Sequence, residues 1–181
     1  GERGIPGKIA ASAFARDNNI PCLGLCLGLQ VMVIDYARHV LGLDDANSSE
    51  FDPKCAHPVI DLMEAQRDVT DKGGTMRLGA YPCKLLSKQL IDIYQNTEIS
   101  ERHRHRYELN NAYRPQLEAA GLQVAGIHQT MNLVEIIRLQ DHPWFIGVQF
   151  HPELKSTVEN PHPLFVDFVR AAIKHKQHKV M

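Results

Sequence analysis

Residues 21–30 read PCLGLCLGLQ and place a cysteine between two glycines in an apolar stretch. The segment before it, 20–25, is typical of a short buried strand, and the apolar residues of 28–41 recur at intervals of three and four, which predicts a helix. Cys26 stands at the turn between them, in the pattern glycine-x-Cys-x-glycine. A nucleophile elbow requires this strand, turn and helix, and glycines on both sides relieve clashes with its strained backbone.

The elements on either side extend the same pattern. A helix is expected from residue 8 to about Asn18, where DNNIP interrupts it, and the eight residues GERGIPGK at the start read as a loop tail. Helix, strand, turn and helix predict an α/β fold, an open, mostly parallel central sheet flanked by helices. Further strands are expected at 76–83, 104–109, 122–127, 132–139 and 144–150, and helices at 86–94, 113–120 and 164–176. The polar middle, 44–74, predicts loops with a short strand at HPVIDLM.

Length predicts one compact domain, and a start at Gly1 without methionine predicts that this domain is a piece of a longer protein. Of its 181 residues, 20 are Lys or Arg and 21 are Asp or Glu, so the net charge of −1 provides no basic field for nucleic acid. The longest apolar runs are far shorter than the roughly 20 residues of a membrane-spanning helix. The four cysteines lack the spacing of a metal site, which favours a reducing, cytoplasmic setting and no bound metal.

A candidate base follows a second apolar strand, WFIGVQFHPE at 144–153. In a parallel sheet Cys26 and His151 would both lie just beyond the carboxyl ends of strands, where open α/β sheets place their sites. Glu153 can fix the imidazole tautomer, which would complete a Cys-His-Glu triad. The helix that follows Cys26 is expected to favour the thiolate. The His-Pro pairs at 142–143 and 162–163 lack such a carboxylate and are expected to be packing residues.

These motifs resemble those of the class I, triad-type glutamine amidotransferases. The resemblance rests first on GLCLGLQ (24–30) and VQFHPE (148–153). Three further stretches, DANSSEF (45–51), GGTMRLG (73–79) and ERHRHRYELNN (101–111), are similar to the glutaminase domains of CTP synthases. The resemblance runs from Gly1 to about Ala172 and implies a flavodoxin-like fold whose first strands are missing from this sequence.

The resemblance implies a reaction. Cys26 would attack the side-chain amide of L-glutamine, His151 would give the leaving ammonia its proton with Glu153 as its orienting partner, and water would cleave the thioester to glutamate. In such enzymes the ammonia passes to a synthetase domain, which uses ATP and Mg to aminate UTP to CTP, with GTP as effector. The resemblance implies a homo-oligomer, a tetramer, for the full-length enzyme, and no cofactor within the glutaminase domain.

The same resemblance assigns the residues that bind glutamine. It puts the backbone of Leu27, Gly28 and Leu29 near the substrate, with the Leu27 amide in the oxyanion hole, and Gln30 in the pocket. Glu50 would receive the α-ammonium and Arg106 the α-carboxylate. An arginine fork suits a carboxylate, and a zwitterion needs one anion and one cation held apart.

Two departures from the family pattern stand out. Leu29 replaces the Met of many members, which is a conservative apolar exchange. Gly1 corresponds to the last residue of a PGGFG loop that supplies the second oxyanion donor. A chain that physically lacked this loop would be a poor glutaminase.

Other interpretations stay open at this stage. Cys26 taken alone could be a small buried apolar residue. RHRHR could be a solvated basic strand or a nucleic-acid patch, with the three arginines on one face and both histidines on the other. The chain could be a γ-glutamyl hydrolase or the glutaminase of another synthetase, such as that for GMP, although GGTMRLG and RHRHRYE argue against both. It could also be a non-catalytic domain of the same fold.

Overall fold

The computed structural model describes residues 3–62 and 76–178. The helices are α1 (Ile5–Asp17), α2 (Leu27–His39), α3 (Lys88–Tyr94), α4 (Arg114–Ala119) and α5 (Pro163–His178), with a 3₁₀ turn at Pro152–Leu154. The strands are β1 (Cys22–Leu25), β2 (Ala46–Ser48), β3 (His57–Asp61), β4 (Arg77–Leu85), β5 (Glu98–His105), β6 (Glu108–Leu109), β7 (Leu122–His128), β8 (Leu133–Leu139) and β9 (Phe145–Val148).

The central sheet has the order β1-β9-β8-β7-β4-β5. The α/β class and the helices on both faces are confirmed, but the sheet is mixed rather than mostly parallel. Its β1–β9 pair is parallel, and the other recorded pairs are antiparallel. The antiparallel pairs β7–β8 and β8–β9 follow from the length of their connections, because the short links 129–132 and 140–144 can join only antiparallel neighbours.

Helices cover the two faces of this sheet and bury a separate core on each. The first core holds apolar residues of α1, α2 and α4, and the second those of α3 and α5. A small sheet, β2-β3-β6, packs against α2. Since α2 has neighbours on nearly all sides, every residue from Leu29 to Ala37 is buried, which is typical of a fully enclosed helix.

Three local expectations were wrong. The helix α1 starts at Ile5, inside the segment expected to be a loop tail, because proline is compatible with the first helical turn and Pro6 lies there. The strand β5 begins at Glu98, earlier than residue 104, and β2 was not expected at all. Residues 63 and 73–75, which belong to HPVIDLM and GGTMRLG, lie outside the described residues.

The alternation expected along β5 is confirmed. Glu101, His103 and His105 are buried, whereas Arg102 and Arg104 are exposed. In the described part of the chain, no helix combines the length and apolar character needed to cross a bilayer.

Candidate active site

The turn at Cys26 has the backbone of a nucleophile elbow. Cys26 has φ 51° and ψ −100°, a conformation that L-residues rarely adopt, and it joins β1 directly to α2. A Cβ added to Gly24 would lie 2.7 Å from the carbonyl carbon of Gly28 and 2.8 Å from the Met32 sulfur. Gly24 therefore has to be glycine. A Cβ on Gly28 would meet no described atom within 4 Å, so the expected clash exists on one side only.

The Cys26 thiol is more basic than expected. Burial raises its pKa to about 11, and the charges of Glu108 and Glu153 add to this effect. The Leu27 backbone amide and the Gln149 side chain act in the opposite direction but do not outweigh burial. The helix terminus therefore acts in the expected direction through the Leu27 amide, but burial has the larger effect and the thiol keeps its proton. A base has to remove the proton before the sulfur can attack.

His151 lies at the same edge of the sheet as Cys26. The parallel register pairs Leu25 with Val148, so the chain reaches Cys26 one residue beyond this pair and His151 three residues beyond it. The Cys26 amide donates a hydrogen bond to the Val148 carbonyl at 2.7 Å, which holds the two strand ends together. The His151 amide in turn donates to the Arg102 carbonyl at 2.8 Å.

The imidazole of His151 is oriented by Glu153. The distance from Nδ1 to Oε1 of Glu153 is 2.6 Å, and His151 Nε2 is buried without a hydrogen-bond partner among the described residues. A carboxylate accepts only from a protonated Nδ1, so the neutral ring keeps its lone pair on Nε2. This is the tautomer that a general base needs. By contrast, His142 contacts the Ala15 carbonyl and His162 pairs with Glu101, as expected for packing residues.

A cavity of about 280 Å³ opens in front of Cys26. Its lining residues are Cys26, Leu27, Gln30, Glu50, Phe51, Met76, Arg104, His105, Arg106 and Tyr107. A larger cavity, about 680 Å³, lies between α3 and α5, but no candidate catalytic residue lines it. The smaller cavity is therefore the candidate substrate site.

The structure brings most, but not all, of the candidate residues to this cavity. Gly28, His151 and Glu153 do not line it, and the Leu29 side chain is fully buried in the first core. Sequence reasoning missed Phe51 and Tyr107, although each is adjacent to a residue that it did select. It also missed Gln149, whose side chain approaches the Cys26 sulfur at 3.8 Å.

The two candidate charges for a zwitterion both line the cavity. Glu50 is exposed in the turn after β2, and its charge helps burial to raise the pKa of the Tyr107 phenol. Arg106 follows the end of β5 and lies 5.9 Å over the Tyr107 ring, with its Nε buried and without a partner among the described residues. Arg104 also lines the cavity but is exposed, whereas Arg106 is partly buried over Tyr107, which is evidence against the solvated-strand interpretation for Arg106.

Within residues 3–62 and 76–178, no three His, Cys, Asp or Glu side chains are grouped as metal ligands. A partly buried thiol, an oriented imidazole and a cavity lined by the acidic Glu50 and the basic Arg104 and Arg106 suit nucleophilic attack on an amino acid derivative.

Comparison with known proteins agrees with this geometry. The family model of class I glutamine amidotransferases matches residues 1–171. A CTP synthase from Cytophaga hutchinsonii is 62% identical over 95% of this chain, which spans 32% of that protein. The chain thus spans about a third of the length of this relative.

Two solved structures separate close from distant relatives. The glutaminase domain of Trypanosoma brucei CTP synthase, solved with bound acivicin, is 41% identical with a TM-score of 0.90, covering 96% of this chain and 68% of that one. A GMP synthase subunit from Thermoplasma acidophilum has the same coverage but only 16% identity and a TM-score of 0.60, which shows a shared fold. The chain therefore belongs to the class I glutamine amidotransferases, and within them to the glutaminase domains of CTP synthases.

Proposed function

We propose that this chain hydrolyses L-glutamine to glutamate and ammonia, with Cys26 as nucleophile, His151 as general base and acid, and Glu153 as its orienting partner. The observation that carries the proposal is the position of the strained Cys26 beyond β1, next to a His151–Glu153 pair beyond the adjacent parallel strand β9. The cavity lined by Cys26 supplies room for the substrate.

The reaction follows from the protonation states. His151 Nε2 takes the thiol proton, the Cys26 sulfur then attacks the amide carbon, and the Leu27 backbone amide donates to the developing oxyanion. His151 then gives the proton to the leaving ammonia, and a thioester forms. Water attacks the thioester with His151 as base, which releases glutamate and restores the thiol.

Recognition of glutamine uses the ends of the cavity. Arg106 binds the α-carboxylate, and Glu50 the α-ammonium, while Gln30 and the backbone of 27–29 hold the amide near the sulfur. The support is that Leu27, Gln30, Glu50 and Arg106 all line the cavity that contains Cys26. Gly28 and Leu29 would act through their backbone, because neither side chain position faces the cavity.

The ammonia serves a synthetase domain. This is because the chain matches CTP synthases and spans only about a third of their length. That domain would bind ATP and Mg and aminate UTP to CTP, with GTP as effector. The full-length enzyme would be a cytoplasmic homotetramer. These properties belong to the whole protein and lie outside the chain described here.

Covalent labelling tests the nucleophile. The full-length protein is incubated with acivicin, and the modified cysteine is located by peptide mass spectrometry. We expect modification at Cys26 and none at Cys22, Cys55 or Cys83. Cys26→Ala should abolish glutamine-dependent CTP formation and leave synthesis from added ammonia intact, because only the nitrogen source is lost.

Cys22→Ala is the matched control, since Cys22 is also partly buried, packs against the first core and lies in β1 before the elbow. It should retain activity with both nitrogen donors. Labelling at Cys22 in place of Cys26, or equal loss of both activities in Cys26→Ala, would contradict the proposal.

A further inference from the structure

A chain of side-chain amides leads from the cavity wall to the nucleophile. Gln149, in the turn after β9, is fully buried, and its Nε2 lies 3.8 Å from Cys26 Sγ. Gln30 on α2 lies behind it, with its Nε2 3.4 Å from Gln149 Oε1 and 3.0 Å from the Tyr107 carbonyl oxygen. Two amides thus connect a backbone carbonyl to the sulfur.

The carbonyl at one end fixes the direction of the whole chain. The Tyr107 oxygen can only accept, so Gln30 has to turn its NH₂ group toward it. The second proton of that NH₂ group then points at Gln149, whose Oε1 has to accept it. This leaves the NH₂ group of Gln149 facing Cys26, so the donor at the sulfur follows from the network.

Both ends of this chain are held in place. The Gln149 backbone amide donates to the Glu135 carbonyl on β8 at 2.8 Å, and the Tyr107 oxygen also contacts His105 Nδ1 at 3.2 Å. A donor that is preorganised in this way need not reorient when negative charge appears on the sulfur.

We propose that Gln149 is a catalytic residue that donates a hydrogen bond to the Cys26 sulfur in its anionic state, and that Gln30 is the positioning residue that orients it. The need arises because Cys26 is partly buried, so a negative charge on its sulfur is less well solvated than in open water. The anion occurs twice in the reaction, before attack on glutamine and when the thioester is cleaved. The inference rests on the proposed function only in taking Cys26 as the nucleophile.

The competing explanation is that Gln149 only satisfies buried polar groups and fills space. Gln149→Met separates the two, because Met has a similar size and no donor. Gln149→Glu keeps the shape and replaces the donor by an acceptor. Gln140→Met is the matched control, since Gln140 is an exposed glutamine that pairs with Gln123 away from the cavity.

The measurement is the rate at which iodoacetamide alkylates Cys26 in the full-length protein, followed by peptide mass spectrometry from pH 6 to pH 11. This small reagent does not use the glutamine pocket, so it reports on the sulfur alone. Because this pH range lies below the wild-type pKa of about 11, the readout is the rate at a given pH. In Gln149→Met we expect roughly 3- to 10-fold slower alkylation at each pH, which corresponds to a rise of about 0.5–1 pH unit in the pKa of the thiol. Gln149→Glu should raise the pKa of the thiol further, and Gln140→Met should leave it unchanged.

Kinetics supply the second readout. In Gln149→Met the kcat with glutamine should fall about 10- to 100-fold with little change in KM. Synthesis from ammonia should stay normal, which would show that the variant is folded. Gln30→Met should show a smaller rise in the pKa of the thiol, because the Gln149 amide then loses its orienting partner. Its KM for glutamine should also rise, since Gln30 lines the cavity.

The outcomes distinguish the inference from the proposed function. If wild-type protein shows no glutaminase activity and no acivicin label at Cys26, the proposed function fails. If the wild type is active but Gln149→Met and Gln149→Glu keep the wild-type alkylation profile and kcat, the donor role of Gln149 is overturned.

Discussion

Arg106 differs from its neighbours on the same stretch of chain, and this difference predicts its effect on activity. Its guanidinium is drawn over Tyr107 at the cavity, with Nε buried and without a partner among the described residues. Arg106→Ala should raise the KM for glutamine steeply. The pair between Arg106 and the α-carboxylate contributes about 2–5 kcal/mol of binding free energy when it is well desolvated, and this contribution is lost. Arg106→Lys should recover only part, because an ammonium cannot make the planar two-pronged contact. Steady-state kinetics with glutamine measure the effect.

Arg102→Ala is the matched control for this prediction. Arg102 is an exposed arginine of β5, and its backbone carbonyl accepts a hydrogen bond from the His151 amide, an interaction that Arg102→Ala keeps. Its KM for glutamine should stay close to that of the wild type. Ammonia-dependent synthesis needs no glutamine pocket and should be normal in both variants. An unchanged KM in Arg106→Ala would show that Arg106 does not bind glutamine and is a solvated residue.

Individual residues differ in how well the sequence predicted them. Cys26 and the His151–Glu153 pair have local signatures, because each follows an apolar strand and has a distinctive neighbour. Glu50 and Arg106 have no such signature and were selected through the family resemblance. The basic thiol of Cys26 could not be predicted, because burial depends on residues distant in sequence. The same is true of Gln149, which looks like one residue of an apolar strand.

The elbow between β1 and α2 depends on one close approach. A Cβ at Gly24 would overlap the backbone of Gly28 and the Met32 sulfur, and backbone cannot move aside without moving α2. Gly24→Ala should therefore destabilise the chain by about 1–3 kcal/mol and displace Cys26, with a large loss of glutaminase activity. Chemical denaturation and glutamine kinetics check the two effects.

Gly28→Ala is the control at the other end of the elbow. A Cβ there would meet no described atom within 4 Å, and alanine is a better helix former in the first turn of α2. The stability of this variant should equal or exceed that of the wild type by about 0.5–1 kcal/mol. Comparable destabilisation by both substitutions would contradict the assigned role of Gly24.

Elements with clear periodicity were predicted well. Strands β7, β8 and β9 and helix α2 are close to their expected bounds because apolar patterns mark them. The first half of β5 was missed because EISE at 98–101 shows no apolar alternation. That strand forms through its antiparallel pairing with β4, which is a long-range interaction. The mixed sheet was missed for a similar reason, since strand direction depends on connections and partners rather than on residue pattern.

At the scale of the whole molecule, a cluster of buried charges joins the cavity wall to the central sheet. Arg77 on β4 donates to Glu135 Oε1 at 2.6 Å and to Glu108 Oε1 at 3.1 Å. His103 contacts the other oxygen of Glu135 at 2.6 Å. One guanidinium thus serves two carboxylates, and each carboxylate also faces an imidazole, because His105 Nδ1 lies 3.4 Å from Glu108 Oε1.

The two carboxylates of this cluster should hold their protons differently. Burial raises the pKa of Glu108 to about 8, more than the attraction of Arg77 lowers it. Burial acts in the same direction on Glu135, but the His103 and Arg77 hydrogen bonds outweigh it, and its pKa lies below the usual value. Because the two groups share Arg77, the proton of the pair resides mainly on Glu108.

This difference predicts how stability depends on pH. Glu108 has an ordinary pKa of 4.5 when unfolded and about 8 when folded, so the folded chain binds the extra proton between these values. Its stabilising contribution is complete below about pH 4.5 and is lost as the pH rises toward 8. Relative to Glu108→Gln, which stays neutral, the wild type should therefore lose on the order of 2–4 kcal/mol of unfolding free energy between pH 5 and pH 8.

Denaturant unfolding of the chain, followed by the fluorescence of its one tryptophan, the buried Trp144, measures this difference. Glu159→Gln removes an exposed carboxylate and should follow the wild-type curve at every pH. If Glu108→Gln loses stability in parallel with the wild type as the pH rises, Glu108 is ionised throughout. The attraction of Arg77 would then outweigh burial, and the cluster would hold two carboxylates against a single guanidinium.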